Sequence, residues 1–278
     1  MIGLLFLGCH LSASDGNLAM VNTAKQIGAN TFAFFTRNPR GSKAKQSDPV
    51  DAAKAVCAMQ EYGFGRIVAH GAYTMNLCTA EPEARAFAAG LLKEDLKRMA
   101  ELPDNFYNFH PGCHVGQGVD VGISEICDAL KEALRPGYPV KVLLETMAGK
   151  GSEIGCKFEE LKAIIDGVGS NEVGVCLDTC HVYDAGYDIV NDLDGVLEEF
   201  DKVIGLDKLY ALHLNDSKNP FFSHKDRHAC IGTGSLGVET FRRIVNHPKL
   251  AEKPMILETP NELSGYAEEI KLLRSLSC

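Results

Sequence analysis

Short runs of apolar and β-branched residues recur along this chain, separated by longer stretches in which apolar side chains return every three or four positions. The runs fall at residues 4–7, 31–35, 66–69, 105–110, 140–145, 173–178, 209–213 and 254–258. Their length and composition predict strands, and the stretches between them predict amphipathic helices. Leu193, Val196, Leu197, Phe200, Val203 and Ile204 form one such stripe, with Asp192, Asp194, Glu198, Glu199 and Asp201 between them. A helix of that kind covers only one face of a sheet. Strand and helix alternate with a repeat of about 35 residues, which predicts an α/β fold of the (β/α)8 or TIM-barrel type, its active site at the C-terminal ends of the strands. Leu4 to Leu7 reads as the first buried strand. No proline-rich linker or break in composition divides the sequence, so a single domain spanning residues 1–278 is expected.

Composition narrows the function classes. Hydrophobic residues make up 45% and charged residues 23%, enough for a sizeable core and unlike a disordered, collagenous or coiled-coil chain. The formal charge of −9 excludes a basic nucleic-acid coat protein but not a local cationic face. The predicted loops 36–48, 146–157 and 214–235 in fact hold nine Lys and Arg against four Asp and Glu, whereas residues 188–208 carry seven acids and two bases. The N-terminal apolar run lacks a basic flank, and no stretch of 18 apolar residues follows, so neither a signal peptide nor a membrane span is expected. Ten scattered cysteines without a C-x-x-C pair read as free thiols of a reducing cytoplasm.

The strand ends carry the chemistry. RIVAH ends at His70, NFYNFH at His110, VKVLLE at Glu145, EVGVCLD at Asp178, LYALH at His213 and PMILE at Glu258. In a barrel these positions converge on one mouth, where such acids and imidazoles would repel and desolvate one another unless cations compensated them. Three more candidates are expected in loops on the same side: His181 in DTCH, and Asp226 and His228 in KDRH, whose spacing lets both side chains face one way from an extended segment. A nitrogen and oxygen donor set without thiolate favours zinc or manganese, with positions left open for water or substrate.

Around these residues the sequence closely resembles the endonuclease IV family of apurinic/apyrimidinic endonucleases. The matching blocks are HGAYTMNL (70–77), NFHPGCH (108–114), LLETMAGKGSEIG (143–155), VCLDTCHVYDAGYD (175–188), HLNDSKNPFFSHKDRHACIGTGSLG (213–237) and LETP (257–260). DTCH combined with HLNDSKNP and KDRHA separates this family from other metal-dependent barrels. The resemblance implies a trinuclear zinc site, with manganese as an alternative in part. His70 and His110 would hold one ion and Glu145 would bridge it to a second, completed by Asp178, His213 and Glu258; His181, Asp226 and His228 would hold the third. It implies Glu145, Glu258 and His110 as catalytic residues, and hydrolysis of the phosphodiester 5′ to an abasic site, leaving a 3′-hydroxyl and a 5′-deoxyribose phosphate. No lysine Schiff base is required. The implied partner is duplex DNA with abasic sites or blocked 3′ ends, met by a cytoplasmic monomer away from any membrane.

Two departures stand out. Family members often have Asn after the bridging Glu and Gln in the following A-G-Q-G, where this chain has Thr146 and Lys150; the change touches hydrogen bonds around the metals rather than the ligands. The family also enters the minor groove from two loops, and the matching positions are Arg40 in TRNPRGSK and Tyr73, Thr74 and Asn76 in HGAYTMN. Thr74 is small where a larger apolar wedge is common, and Gly41-Ser42 replaces a commoner Gln-Trp. Kinking DNA with a wedge costs a few kcal/mol of unstacking that contacts must offset.

Competing patterns are weaker. Gly232-Thr233-Gly234-Ser235-Leu236-Gly237 matches G-x-G-x-x-G, but the preceding KDRHACI is too polar for the buried strand that a dinucleotide site requires. Cys113 beside His114 and Cys180 beside His181 imitate thiol–imidazole pairs, yet sequence neighbours usually diverge, so inert thiols are expected. Two rival functions share the strand-end ligands. A sugar isomerase or epimerase has no evident need of the KDRH pair, and a noncatalytic damage-binding protein would not need an intact ligand set.

Overall fold

The computed structural model describes residues 4–277. The strands are β1 (Phe6–Leu11), β2 (Ala33–Phe35), β3 (Val68–His70), β4 (Asn105–Phe109), β5 (Val140–Glu145), β6 (Val173–Asp178), β7 (Leu209–Leu214), β8 (Asp216–Ser217), β9 (His228–Ala229) and β10 (Pro254–Leu257). All but β8 and β9 close a parallel barrel in the order β1-β10-β7-β6-β5-β4-β3-β2, and β8 and β9 form an antiparallel ribbon at its mouth. Helices α1 (Asn17–Gln26), α2 (Pro49–Glu61), α3 (Pro82–Met99), α4 (Val119–Leu134), α5 (Phe158–Val168), α7 (Leu193–Val203), α8 (Gly237–Val245) and α9 (Leu263–Leu276) follow the strands, with a short α6 (Thr179–Ala185) directly after β6. The predicted barrel is therefore the observed one. No helix among the described residues is long and apolar enough to cross a membrane.

Each helix buries one stripe. On α7 the buried residues are Leu193, Val196, Leu197 and Phe200, the stripe read from the sequence. Asp192 caps that helix by accepting from Gly195 N, and Asp48 caps α2 in the same way from Val50 N and Asp51 N.

Inside the barrel a small apolar layer is formed by Ala33, Val68, Phe106, Leu143, Cys176, Ala211 and Ile256, one from each strand but β1. The position on β1 in register with Ile256 is Gly8. Because side chains alternate along a strand, the residue two further on points into the same lumen, one layer nearer the mouth. Those residues are His10, Phe35, His70, Asn108, Glu145, Asp178, His213 and Glu258. A plug of apolar side chains thus excludes water from below a ring of polar ones. Register completes the ring: the β6–β7 ladder slips between Val175 and Cys176, which sets Asp178 level with His213 instead of Leu212.

Several expectations shift. The first strand is not 4–7: Leu4 is exposed, and the strand runs to Leu11, bringing His10 inside. Leu4 and Leu5 lie below the ladder, whose first partner is Phe6. His110 lies just past β4, leaving Asn108 as that strand's lumen residue. His181 is in a helix rather than a loop, because the Asp178 side chain accepts from His181 N at 2.9 Å and caps α6. Asp226 is not in extended backbone; its φ is 53°.

Candidate metal centre

The nine sequence-predicted positions meet at the barrel mouth. His70, His110 and Glu145 form one group, Glu145, Asp178, His213 and Glu258 a second, and Asp178, His181 and His228 a third, each with its ligand atoms within 4.8 Å of one another. Asp226 joins the third group, its Oδ1 standing 3.1 Å from His181 Nε2 and 3.5 Å from His228 Nε2. Glu145 is the hub. Its Oε2 is 3.2 Å from His70 Nε2 and 3.5 Å from His110 Nε2, and its Oε1 is 3.2 Å from His181 Nδ1 and 3.3 Å from His213 Nδ1.

Three imidazoles have their tautomer fixed from behind. His70 Nδ1 lies 2.7 Å from the Gly71 carbonyl, His181 Nδ1 2.8 Å from that of Thr146, and His228 Nδ1 3.2 Å from that of Glu258. A carbonyl only accepts, so each Nδ1 carries hydrogen, and whatever each ring places toward the facing carboxylate oxygen, a proton or a lone pair, is on Nε2. Lone pair facing lone pair at this range is repulsive unless a proton or metal cation lies between them. Backbone carbonyls behind the ring are also what orient histidines that bind metals. Glu258 Oε1 and His228 Nε2 are buried and have no hydrogen-bond partner. Donor chemistry, spacing and orphaned atoms therefore all fit divalent cations.

Electrostatics agrees. Burial alone pushes the Glu145 carboxyl up, but His213, His110 and His181 outweigh it and hold the group well below the usual carboxylate range. Glu258 is likewise lowered against its burial, chiefly by His213. Burial lowers the His181 and His213 imidazoles, yet Asp178 and Asp226 around the first, and Cys176, Glu258 and Glu145 around the second, raise both well above the ordinary value.

A further shell of residues escapes sequence reading. Asn108 Nδ2 donates to Glu145 Oε2 at 2.5 Å, and Asn215 Nδ2 donates to Asp178 Oδ2 at 2.7 Å while its Oδ1 accepts from Glu258 N at 3.0 Å. Thr146 Oγ1 accepts from Asp178 N at 2.9 Å, so the departure at this position still serves the ligands. His10 Nε2 approaches Glu258 Oε1 at 3.3 Å, and burial pulls its imidazole down to about 4. Asn108 and His10 are visible in the sequence only as two-residue steps beyond an apolar lumen position; Asn215 has no local signal.

A cavity of about 600 Å³ opens over the site, lined by Tyr73, His110, Lys150, His181, Asp226, His228 and Glu258 among others. Lys150 Nζ stands 3.6 Å from Asp226 Oδ2. Arg40, Tyr73 and Thr74 are exposed on two adjoining loops. Asn76, grouped with them by sequence, is differently engaged: Nδ2 donates to Cys113 O at 2.9 Å and Oδ1 accepts from Cys113 N at 3.1 Å, so it braces the loop after His110. Arg37 also leaves the cationic face, being buried against Asp95 at 2.6 Å. The Cys113 and Cys180 thiols are raised by burial, which disfavours the reactive thiolate.

Comparison with known proteins decides between the barrels. Residues 21–276 match the family model for the xylose isomerase-like TIM barrel. The probable endonuclease 4 of Alkaliphilus oremlandii (strain OhILAs) is 62% identical over 98% of this chain and 97% of its own length. The chain belongs to the endonuclease IV family. A second member, the probable endonuclease 4 of Clostridium beijerinckii (strain ATCC 51743 / NCIMB 8052), is 59% identical over 98% of this chain and 99% of its own. Among solved structures, endonuclease IV from Thermus thermophilus superposes with a TM-score of 0.86 at 32% identity, covering 98% of both chains.

Proposed function

We propose that this endonuclease IV family member is a zinc-dependent deoxyribonuclease of base excision repair. It hydrolyses the phosphodiester 5′ to an abasic site in duplex DNA, leaving a 3′-hydroxyl and a 5′-deoxyribose phosphate. The observation that supports this best is the set of imidazole Nε2 atoms aimed at carboxylates across the mouth of the barrel. About three zinc ions per chain are expected. His70, His110 and Glu145 hold the first, Glu145, Asp178, His213 and Glu258 the second, and His181, Asp226 and His228 the third. When bound, zinc supplies Lewis acidity, bringing the ionisation of water toward neutrality and stabilising charge on phosphate oxygens.

The chain's own residues prepare the rest. Glu145, held ionised by its histidines, ties the first two positions together. Glu258, ionised and fixed through its backbone by Asn215, and His110, the most accessible of the Glu145 histidines at 26% side-chain exposure, complete the catalytic group nearest the cavity. Lys150 adds a cation for the phosphate from the cavity wall. Arg40, Tyr73 and Thr74 contact the minor groove and open it at the lesion. Duplexes with blocked 3′ ends are a second substrate class, and the protein works as a monomeric single domain of 278 residues in the cytoplasm.

Incision of an abasic-site duplex without added magnesium, and its loss on zinc chelation, test the reading. Zinc-loaded protein that leaves the duplex intact but turns over a ketose overturns it. Metal analysis separates the same two outcomes, because one manganese per chain is the isomerase pattern.

A further inference from the structure

Asp184 is fully buried near the end of α6 and is not among the proposed ligands. Its carboxylate reaches the segment that leads from β8 to β9. Oδ1 accepts from Ser217 Oγ at 2.8 Å, and Oδ2 accepts from the backbone N of Asp226 at 2.9 Å and from Asn219 Nδ2 at 3.5 Å. The main chain of the same helix adds two bonds: Tyr183 O accepts from Phe222 N at 3.2 Å, and Asp184 O from His224 N at 3.0 Å.

The segment held in this way is conformationally costly. Phe222, His224 and Asp226 have φ of 58°, 54° and 53°, in the left-handed region that side-chain-bearing residues enter only when the surroundings compel them. Each of these residues has its N–H bound to α6, and the N–H of Asp226 is bound by a carboxylate, the strongest acceptor available to it. His181 is three residues before Asp184, one turn earlier on the same helix. A single turn therefore carries one candidate ligand and the group that sets the position of another.

We propose that Asp184 is the positioning residue of the third metal: its carboxylate holds Asp226 in the left-handed conformation from which Oδ1 faces His181 Nε2, and His228 two residues on. The inference rests on the three-metal reading above. Nothing in the local sequence DTCHVYDA distinguishes this carboxylate from a solvent-exposed one; the partner is 42 residues away.

The test is zinc competition titration of purified wild-type, Asp184→Ala, Asp184→Leu and Asp184→Asn protein, followed in parallel by circular dichroism and by the visible spectrum after cobalt substitution. Leu keeps most of the side-chain volume, so it reports on the lost hydrogen bonds if Ala fails to fold. Ala and Leu are expected to lose one zinc, its affinity falling tenfold or more as for other outer partners of metal ligands, with the other sites and the fold retained. Asn is expected to rescue, since its Oδ1 can accept from Asp226 N while its Nδ2 donates to Ser217 Oγ. Full, equally tight zinc binding in the Ala and Leu variants overturns the inference, and so does equal weakening of every site in folded protein. Wild-type protein that never binds the third zinc overturns the metal count itself and this inference with it.

Discussion

Asp216 Oδ2 accepts a hydrogen bond from the backbone N of Gly234 at 3.0 Å, at the centre of the glycine-rich loop that imitates a dinucleotide-binding fingerprint. Gly232 N at 3.0 Å, Gly237 N at 3.4 Å and, on Oδ1, Leu236 N at 2.8 Å complete the cradle. Such a nest of N–H groups attracts an anion, and here the anion is the chain's own buried carboxylate. Gly234 is needed for its approach: a Cβ there would lie 2.3 Å from Ser217 O and 2.5 Å from Asp216 Oδ1.

Removing that carboxylate is expected to be expensive for the fold. Asp216→Ala strands several part-buried or buried N–H groups at once, each worth about 1–3 kcal/mol when left unpaired, so a loss of at least about 3 kcal/mol in urea unfolding is predicted. A change below about 1 kcal/mol would show that the loop closes without its anion.

Glu145→Ala is predicted to abolish incision while the barrel remains folded, because four histidines lose their common partner. The drop in kcat/KM should exceed about a hundredfold, the upper range for losing a mere outer partner, and bound zinc should fall with it. Near-normal incision by this variant removes Glu145 from the catalytic group.

Metal removal carries a pH signature. In the metal-free protein burial lowers His181 and His213, but the Asp178 and Asp226 carboxylates facing the first, and the Cys176 sulfur with the Glu258 and Glu145 carboxylates facing the second, raise both well above 6.5. A group raised in the folded state stabilises it below its unfolded pKa, and that contribution is lost as pH climbs through the folded value. Chelated protein should therefore lose Tm as pH climbs above the ordinary histidine range, whereas zinc-loaded protein, its imidazoles already neutral, should not. Zinc loading near neutrality should also release protons, seen as a dependence of calorimetric heat on the buffer. Parallel Tm curves for the two forms contradict this account.

The legibility of the site follows from the barrel's geometry. Strand ends such as His70, Glu145 and Asp178 can be read because an apolar run stops at a polar residue that the closed sheet aims inward. His10 is hidden by the run Leu4–Leu7, which is more hydrophobic than the true strand containing Gly8 and Cys9, so the strand's end is drawn too early. Asn215, Asp184 and Asp216 act through hydrogen bonds to residues 16 to 43 positions away. No periodicity encodes such pairings. The β6–β7 register, the β7–β10 pairing and the β8–β9 ribbon bring them together.

The two exposed loops should act on DNA as one body. Tyr73 N donates to Pro39 O at 3.0 Å, joining the loop of Tyr73 and Thr74 to that of Arg40. Beneath them Arg37 donates through Nη1 to Ser42 O at 2.7 Å and through Nη2 to Asp95 Oδ1 at 2.6 Å, and Tyr107 Oη donates to Asp95 Oδ2 at 2.9 Å. Arg37 itself is a poor probe, because its loss leaves a buried carboxylate unpaired at a cost of about 3–5 kcal/mol. The exposed tips are better. Arg40→Ala and Tyr73→Ala should each weaken binding to an abasic duplex about tenfold, or 1.4 kcal/mol, with zinc content unchanged. In the double variant the losses should fall short of additive by about 0.5 kcal/mol or more, the signature of residues that share a support. Fluorescence anisotropy at fixed salt measures all four proteins of the cycle. Strict additivity would separate the loops into independent contacts, and unchanged affinity in both single variants would remove them from the DNA interface.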